Sequence, residues 1–241
     1  MPALIAFDTS TERMTVALQS GARLLVREGE GGARASATLL PAILGVLAEA
    51  GMRVADLDAI AFGRGPGAFT GLRTASSVAQ GLAFGAGKPV LPIDTLLAVA
   101  EDARRAATNL RVWALLDARM DQIYAAEYSH ADGRWTTCVA PFLADCDALA
   151  AIWREAPPTL VAGNALAAFA GRLATGAAAT LAEAAPSARA LLRLAERAWA
   201  EGAAVDAALA LPLYVRDKVA QTEAERAAAS LRKTASLSSE R

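Results

Sequence analysis

The sequence predicts an α/β chain built of two structurally similar lobes. Two observations carry this. Each half opens with an apolar strand that ends in an aspartate, Ala3-Leu4-Ile5-Ala6-Phe7 before Asp8 and Arg111 to Leu116 before Asp117, with two more short strands behind it. Strands then alternate with segments of helical apolar spacing, which implies a mixed sheet with helical crossovers. The halves repeat a topology without repeating a sequence.

The elements follow in order. Met14 to Leu18 and Leu24 to Arg27, separated by Gly21, read as a hairpin behind the first strand. Leu39, Leu40, Ile43, Leu44, Leu47 and Ala48 recur at helical spacing, with Ser36 as the expected N-cap and Gly51 as the stop. Pro41 lies inside that pattern, so the helix is expected to start late or bend there. Asp58 to Phe62 is a strand, Leu72 to Phe84 a second helix closed by Gly85 and Gly87, Pro89 to Ile93 a strand, and Leu96 to Ala107 a third helix. In the second half, Gln122 to Tyr128 and Trp135 to Val139 are strands. A helix around Asp147 to Arg154, a strand at Thr159 to Ala162, and helices near Ala165 to Leu173 and Ser187 to Glu201 complete it. The lobes are placed at residues 1–107 and 108–220, with 221–241 a fraying tail.

Composition narrows the function. At 241 residues, 54% hydrophobic and 20% charged, the chain can bury a large core and is not a disordered protein. The formal net charge of −1 argues against nucleic-acid binding by bulk electrostatics. Arginine far outnumbers lysine, which occurs only at Lys88, Lys218 and Lys233. Cys138 and Cys146 match no zinc spacing, and His130 is the single histidine, so a His-His metal site is excluded within the chain. His130 sits in a turn-like Ser-His-Ala-Asp-Gly and is expected to be exposed. No apolar run reaches the roughly 18 residues of a membrane helix, and no cationic segment precedes the first apolar run. A reducing, cytoplasmic location is expected.

Three motifs are candidates for chemistry. Gly63 to Arg73, a glycine-rich loop between strand and helix, aims amides as a phosphate cradle does. It lacks the lysine of a P-loop and the dinucleotide glycine spacing, and from the loop alone close packing is the better reading. Asp8, Thr9 and Ser10, at the end of the first strand, suit a metal–phosphate or a locally bonded turn. Asp117, Arg119 and Asp121 suit a site between lobes or an ion pair that stiffens a turn. A local basic strip from Arg64, Arg73, Arg119 and Arg216 is expected from their places at element ends. One surface also stands out. Gly71, Ala75, Ala79 and Ala83 form a small-residue row flanked by Leu72, Val78 and Leu82, and Leu39, Ile43 and Leu47 line the first helix. These faces suit burial against the chain's own sheet, but both helices are apolar over more than one narrow stripe and nearly free of charge, which also suits a second, intermolecular face.

Taken together, Ile5 to Glu12, Leu39-Leu40-Pro41, Gly63 to Arg73, Val78 to Ala83, Asp117 to Met120 with Tyr124, Glu127 and Tyr128, and Pro212 to Arg216 resemble the TsaB (YeaZ) family. The resemblance runs to Val219. It implies a two-lobed actin-like fold of the ASKHA, ribonuclease H-like class. It also implies a part in making threonylcarbamoyladenosine beside the anticodon of tRNAs that read ANN codons. In that family the chain is not the catalyst. It binds a catalytic paralogue, TsaD, through its first two helices, an ATPase subunit, TsaE, joins the pair, and tRNA is met through the complex. The resemblance places the partner interface on Leu39, Leu40, Ile43, Leu47, Gly71, Leu72, Ala75, Val78, Ala79 and Leu82. It leaves Asp8, Thr9, Gly65 and Gly67 as vestigial phosphate contacts. Neither cofactor nor metal is expected, and a homodimer is expected when the partner is absent. The paralogue holds its metal through an HxxxH motif on the first helix, whereas Arg34 to Pro41 contains no histidine here, not even the one many family members carry near Ala35. The rival reading is a stand-alone actin-like ATPase or kinase.

Overall fold

The computed structural model describes residues 1–216, so the expected tail and Val219 lie outside the described residues. The chain runs β1 (Leu4–Asp8), β2 (Arg13–Ser20), β3 (Arg23–Glu30), α1 (Ala35–Ala50), β4 (Ala59–Gly65), α2 (Phe69–Ala86), β5 (Val90–Asp94) and α3 (Thr95–Arg104). It then repeats that order with β6 (Leu110–Asp117), β7 (Ile123–Ala131), β8 (Arg134–Ala144), α4 (Cys146–Glu155), β9 (Leu160–Ala162), α5 (Ala165–Ala168), β10 (Ala179–Leu181) and α6 (Ala188–Ala200).

The repeat extends to the sheets. The first has the order β3-β2-β1-β4-β5 and the second, read from its matching edge, β8-β7-β6-β9-β10. In both, the opening strand pairs antiparallel with the next strand in sequence and parallel with the fourth. This is the two-lobed actin-like, ribonuclease H-like architecture.

Alternation along the strands divides the core. Ile5, Phe7, Val16, Ile60 and Phe62 point to one face of the first sheet and are covered by Leu39, Ile43, Leu47, Ala75 and Ala79 of α1 and α2. Leu4, Ala6, Ala59, Ala61 and Leu91 point to the other face and are covered by Leu191, Leu192 and Ala195 of α6. In the second lobe Trp113, Leu115 and Ile123 pack under α4 and α5. The opposite face, Val112, Ala114 and Tyr128, packs under Leu96, Val99 and Ala100 of α3. The last helix of each half therefore lies on the sheet of the other. The boundary at residue 107 separates the strands but not the packing. After α6, Val205 pairs with Val90, and residues 207–216 return along α2 to the first lobe.

Several local expectations are corrected. α1 begins at Ala35 with Arg34 as its N-cap, so Ser36 stands in the first turn and Pro41 inside the helix. Gly51 and Gly87 end α1 and α2 in the left-handed conformation that glycine takes without a Cβ penalty. α3 stops at Arg104. His130 is buried, because β7 continues through it. Its Nδ1 lies 2.8 Å from the Thr108 carbonyl and its ring meets the edge of Trp135.

Candidate functional site

A cleft of about 290 Å³ separates the lobes. The β1–β2 turn and the start of α2 form one wall, the β6–β7 turn the other, and the segment Leu213–Arg216 closes one side. The cleft lies at the carboxyl ends of β1 and β6, where open α/β sheets place ligands.

Asp8 is buried beneath this cleft and does not line it. Its Oδ1 accepts from the Ser10 amide at 2.8 Å and from Ser10 Oγ at 2.5 Å, and Oδ2 accepts from Thr95 Oγ1 at 3.2 Å. Burial pushes the carboxyl up to about 6, although these hydrogen bonds pull the other way. Thr9 donates through Oγ1 to the Gly71 carbonyl at 2.8 Å.

The glycine loop is a packing device. Gly65 donates its amide to Thr95 Oγ1 at 3.1 Å, and the Ala68 amide goes to the Ser10 carbonyl at 2.7 Å. A Cβ at Gly67 would lie 2.5 Å from that of Ser10, and one at Gly65 would lie 2.7 Å from the Leu213 carbonyl oxygen. The Leu213 amide is bonded to the Arg64 carbonyl at 2.6 Å, so the returning segment covers the loop. Asp8, Thr9 and Gly65 thus bond within their own chain, while Gly67 lies in the wall of the cleft.

The expected basic strip divides. Arg64 pairs with Asp94 at 2.5 Å, and Arg119 pairs with Glu12 at 2.5 Å and Asp117 at 3.1 Å. Arg73 stacks 3.9 Å over Phe69 and donates to the Tyr214 hydroxyl, and Arg216 donates to the Ala118 carbonyl at 2.9 Å. Among the described residues neither Arg73 nor Arg216 has an acidic partner. Asp121 is drawn away to Arg172 on the far side of the turn. Sequence reasoning missed the role of Glu12, which the Gly31 amide positions through its carbonyl, and that of Asn164, which accepts from the Asp117 amide at 2.9 Å. A charged residue two positions after the Asp-Thr-Ser turn was the one available signal.

The residues expected at the partner interface divide between an inner and an outer face. Leu39, Ile43, Leu47, Gly71, Leu72, Ala75 and Ala79 are buried against their own lobe, because the small-residue row is what seats α2 closely. A Cβ at Gly71 would lie 1.8 Å from the Thr9 carbonyl oxygen. Val78 and Leu82 are half-buried. The outward apolar side chains are Leu40 (40% exposed), Leu44 (49%) and Phe84 (83%), set among exposed Gly45, Gly81 and Gly85. The only charged residues on these helices are Glu49 and Arg73, and Glu49 is bound to Arg27.

Residues 32–224 match the family model described as TsaD: tRNA N6-adenosine threonylcarbamoyltransferase. The solved structure of YeaZ from Pseudomonas aeruginosa superposes with a TM-score of 0.80 at 39% identity, covering 89% of this chain and 100% of that one. The chain belongs to the TsaB (YeaZ) family. Curated relatives agree. The tRNA threonylcarbamoyladenosine biosynthesis protein TsaB of Haemophilus influenzae is 44% identical over 127 residues, 52% of either chain. The TsaB of Escherichia coli is 38% identical over 133 residues, 55% of this chain and 58% of that one. The matched stretch thus spans about half the length of these curated TsaB relatives. Membership in TsaB accounts for the paired sheets. No helix among the described residues is long and apolar enough to cross a membrane, and no cluster of metal-ligating side chains occurs among them.

Proposed function

We propose that this chain serves the synthesis of threonylcarbamoyladenosine in tRNA as a non-catalytic subunit. It docks on its catalytic paralogue, TsaD, through the outer faces of α1 and α2. The observation that supports this reading is the exposed, almost uncharged ridge of Leu40, Leu44 and Phe84. Large apolar side chains left outward on adjacent helices mark a surface that a partner covers. The buried residues named above support the ridge from below. TsaE and tRNA meet this subunit through the complex, and a homodimer forms on the same ridge when the paralogue is absent.

Activation on this reading is a shift in the partner's population of competent conformations, without chemistry from this chain. The involvement of Asp8 and the glycine loop in internal bonds is consistent with that and gives no support to the ATPase alternative. The test is reconstituted threonylcarbamoyl transfer to tRNA, comparing this chain alone, the paralogue with the ATPase, and all three. Activity is expected only with all three. Leu44→Glu and Phe84→Glu, both at outward positions, are expected to abolish co-elution with the paralogue while leaving the fold intact. Transfer by this chain alone, or undisturbed co-elution of both variants, sinks the proposal.

A further inference from the structure

Arg73 and Phe84 are both exposed and stand about three turns apart on α2, so they share its outward stripe. Arg73 does not line the interlobe cleft. Its guanidinium is fixed in place. It stacks 3.9 Å over the Phe69 ring and donates through Nε to the Tyr214 hydroxyl at 3.1 Å, and those two rings lie 5.4 Å apart. Among the described residues its terminal nitrogens have no hydrogen-bond partner. A planar fork held by its stem and free at its tip is set for a carboxylate.

The surface around it supplies none. The one acidic residue on α1 and α2 is Glu49, and Arg27 holds it. Residues 207–216, which run beside α2 through the bonds of Ser76 and Gln80 to Ala210 and Ala207, contain no acid. A second copy docked ridge to ridge therefore brings its own Arg73 to the contact and no free carboxylate. Covering a cation without a partner is costly, whereas covering one that finds a carboxylate is not.

We infer that Arg73 selects what covers the α1–α2 ridge: it takes a carboxylate from the catalytic paralogue, and the lack of one on a second copy of this chain disfavours the homodimer. The inference rests on the docking reading and adds to it the charge that decides between the two occupants. The apolar side chains Leu40, Leu44 and Phe84 attract either one, and the arginine discriminates.

The test measures two affinities of the full chain by analytical ultracentrifugation, one for the paralogue and one for itself. Arg73→Gln, which keeps a polar group beside Tyr214 and drops the charge, is expected to weaken the paralogue complex about tenfold and to leave the homodimer as tight or tighter. Arg73→Glu is expected to weaken the paralogue complex about a hundredfold. Both alter an exposed side chain, so the fold is retained. Phe84→Glu is expected to break both complexes. Undiminished paralogue binding by the two Arg73 variants, with Phe84→Glu breaking it, overturns this inference and leaves the docking reading standing. An equal loss in both complexes also overturns it, since Arg73 then only shapes the surface. Paralogue binding that survives Phe84→Glu removes the docking reading and this inference with it.

Discussion

Arg193 on α6 reaches the buried carboxylate of Glu101 on α3, with Nε 2.5 Å from Oε1. The pair joins the two exchanged helices. Arg104 and the Trp135 indole complete the shell around the same carboxylate.

Glu101→Gln is therefore expected to destabilise the protein by about 3 kcal/mol, since it leaves two guanidiniums facing an uncharged amide. In a chain of this size that lowers the melting temperature by roughly 6–12 °C. The pH dependence has a definite sign. Burial raises the Glu101 pKa, but the bonds from Arg104, Arg193 and Trp135 outweigh it and hold the group below its ordinary 4.5. Its contribution is present above that value and is lost as pH falls through the lower folded-state pKa. Calorimetric melting of both proteins between neutral and strongly acid pH checks this, and parallel curves would refute it.

Asp8 works in the opposite direction. Its pKa is raised by burial from 3.8 to about 6, so the folded state holds a proton that the unfolded state has released. The Asp8 contribution to stability falls as pH rises from about 4 to about 6 and is level above, a loss of roughly 3 kcal/mol. Asp8→Asn, which keeps the oxygen facing Ser10, is expected to remove this slope and to be more stable than the unaltered chain at pH 7. Urea unfolding midpoints across that range are the measurement. An unchanged slope in Asp8→Asn contradicts the assignment.

Two alanine substitutions on one helix separate packing from propensity. Gly71→Ala would place its Cβ 1.8 Å from the Thr9 carbonyl oxygen, so a loss above about 3 kcal/mol is expected. Gly81 has nothing within 4 Å, and Gly81→Ala is expected to gain about 0.5–1 kcal/mol from helix propensity. Denaturant titration of both distinguishes this from a helix equally tolerant along its length.

Ala79→Arg forces a long cation beneath α2, where Ala79 is fully buried. It is expected to unfold the first lobe, unlike Phe84→Glu a little further along the helix. Circular dichroism of the pair tests which face of α2 looks outward. A well-folded Ala79→Arg protein would place that face wrongly here.

Much of the fold is legible in the sequence because it rests on local signals. Short apolar strands closed by Asp8 and Asp117 mark both halves, and the stops at Gly51 and Gly87 mark the helices of the first. β10 escapes notice because Ala179–Leu181 is too short and too mixed to show a period. The exchange of α3 and α6 escapes it for another reason. Periodicity shows that Leu96, Val99 and Leu191 are buried, but not under which sheet. The same gap misleads the reading of the helix surface, where Leu39 and Ala79 lie in the core and Leu44 and Phe84 outside. His130 looks like a turn residue because its neighbours are polar, whereas pairing with Trp135 carries β7 through it. At the cleft, residue types were visible and partnerships were not. Nothing in the spacing of Glu12 and Arg119 announces a contact across 107 positions.

The exchanged helices have a consequence for synthesis. When residues 1–107 have left the ribosome, the sheet face of Leu4, Ala6 and Leu91 lacks most of its cover, because α6 is still to be made and only the edge of α3 at Ala98 reaches it. The first half waits for the last helix, and two nascent chains on one message can cover each other's exposed face in the meantime. Split at residue 107, the halves are expected to be insoluble apart and to reassemble when coexpressed, as interlocked fragments of one fold.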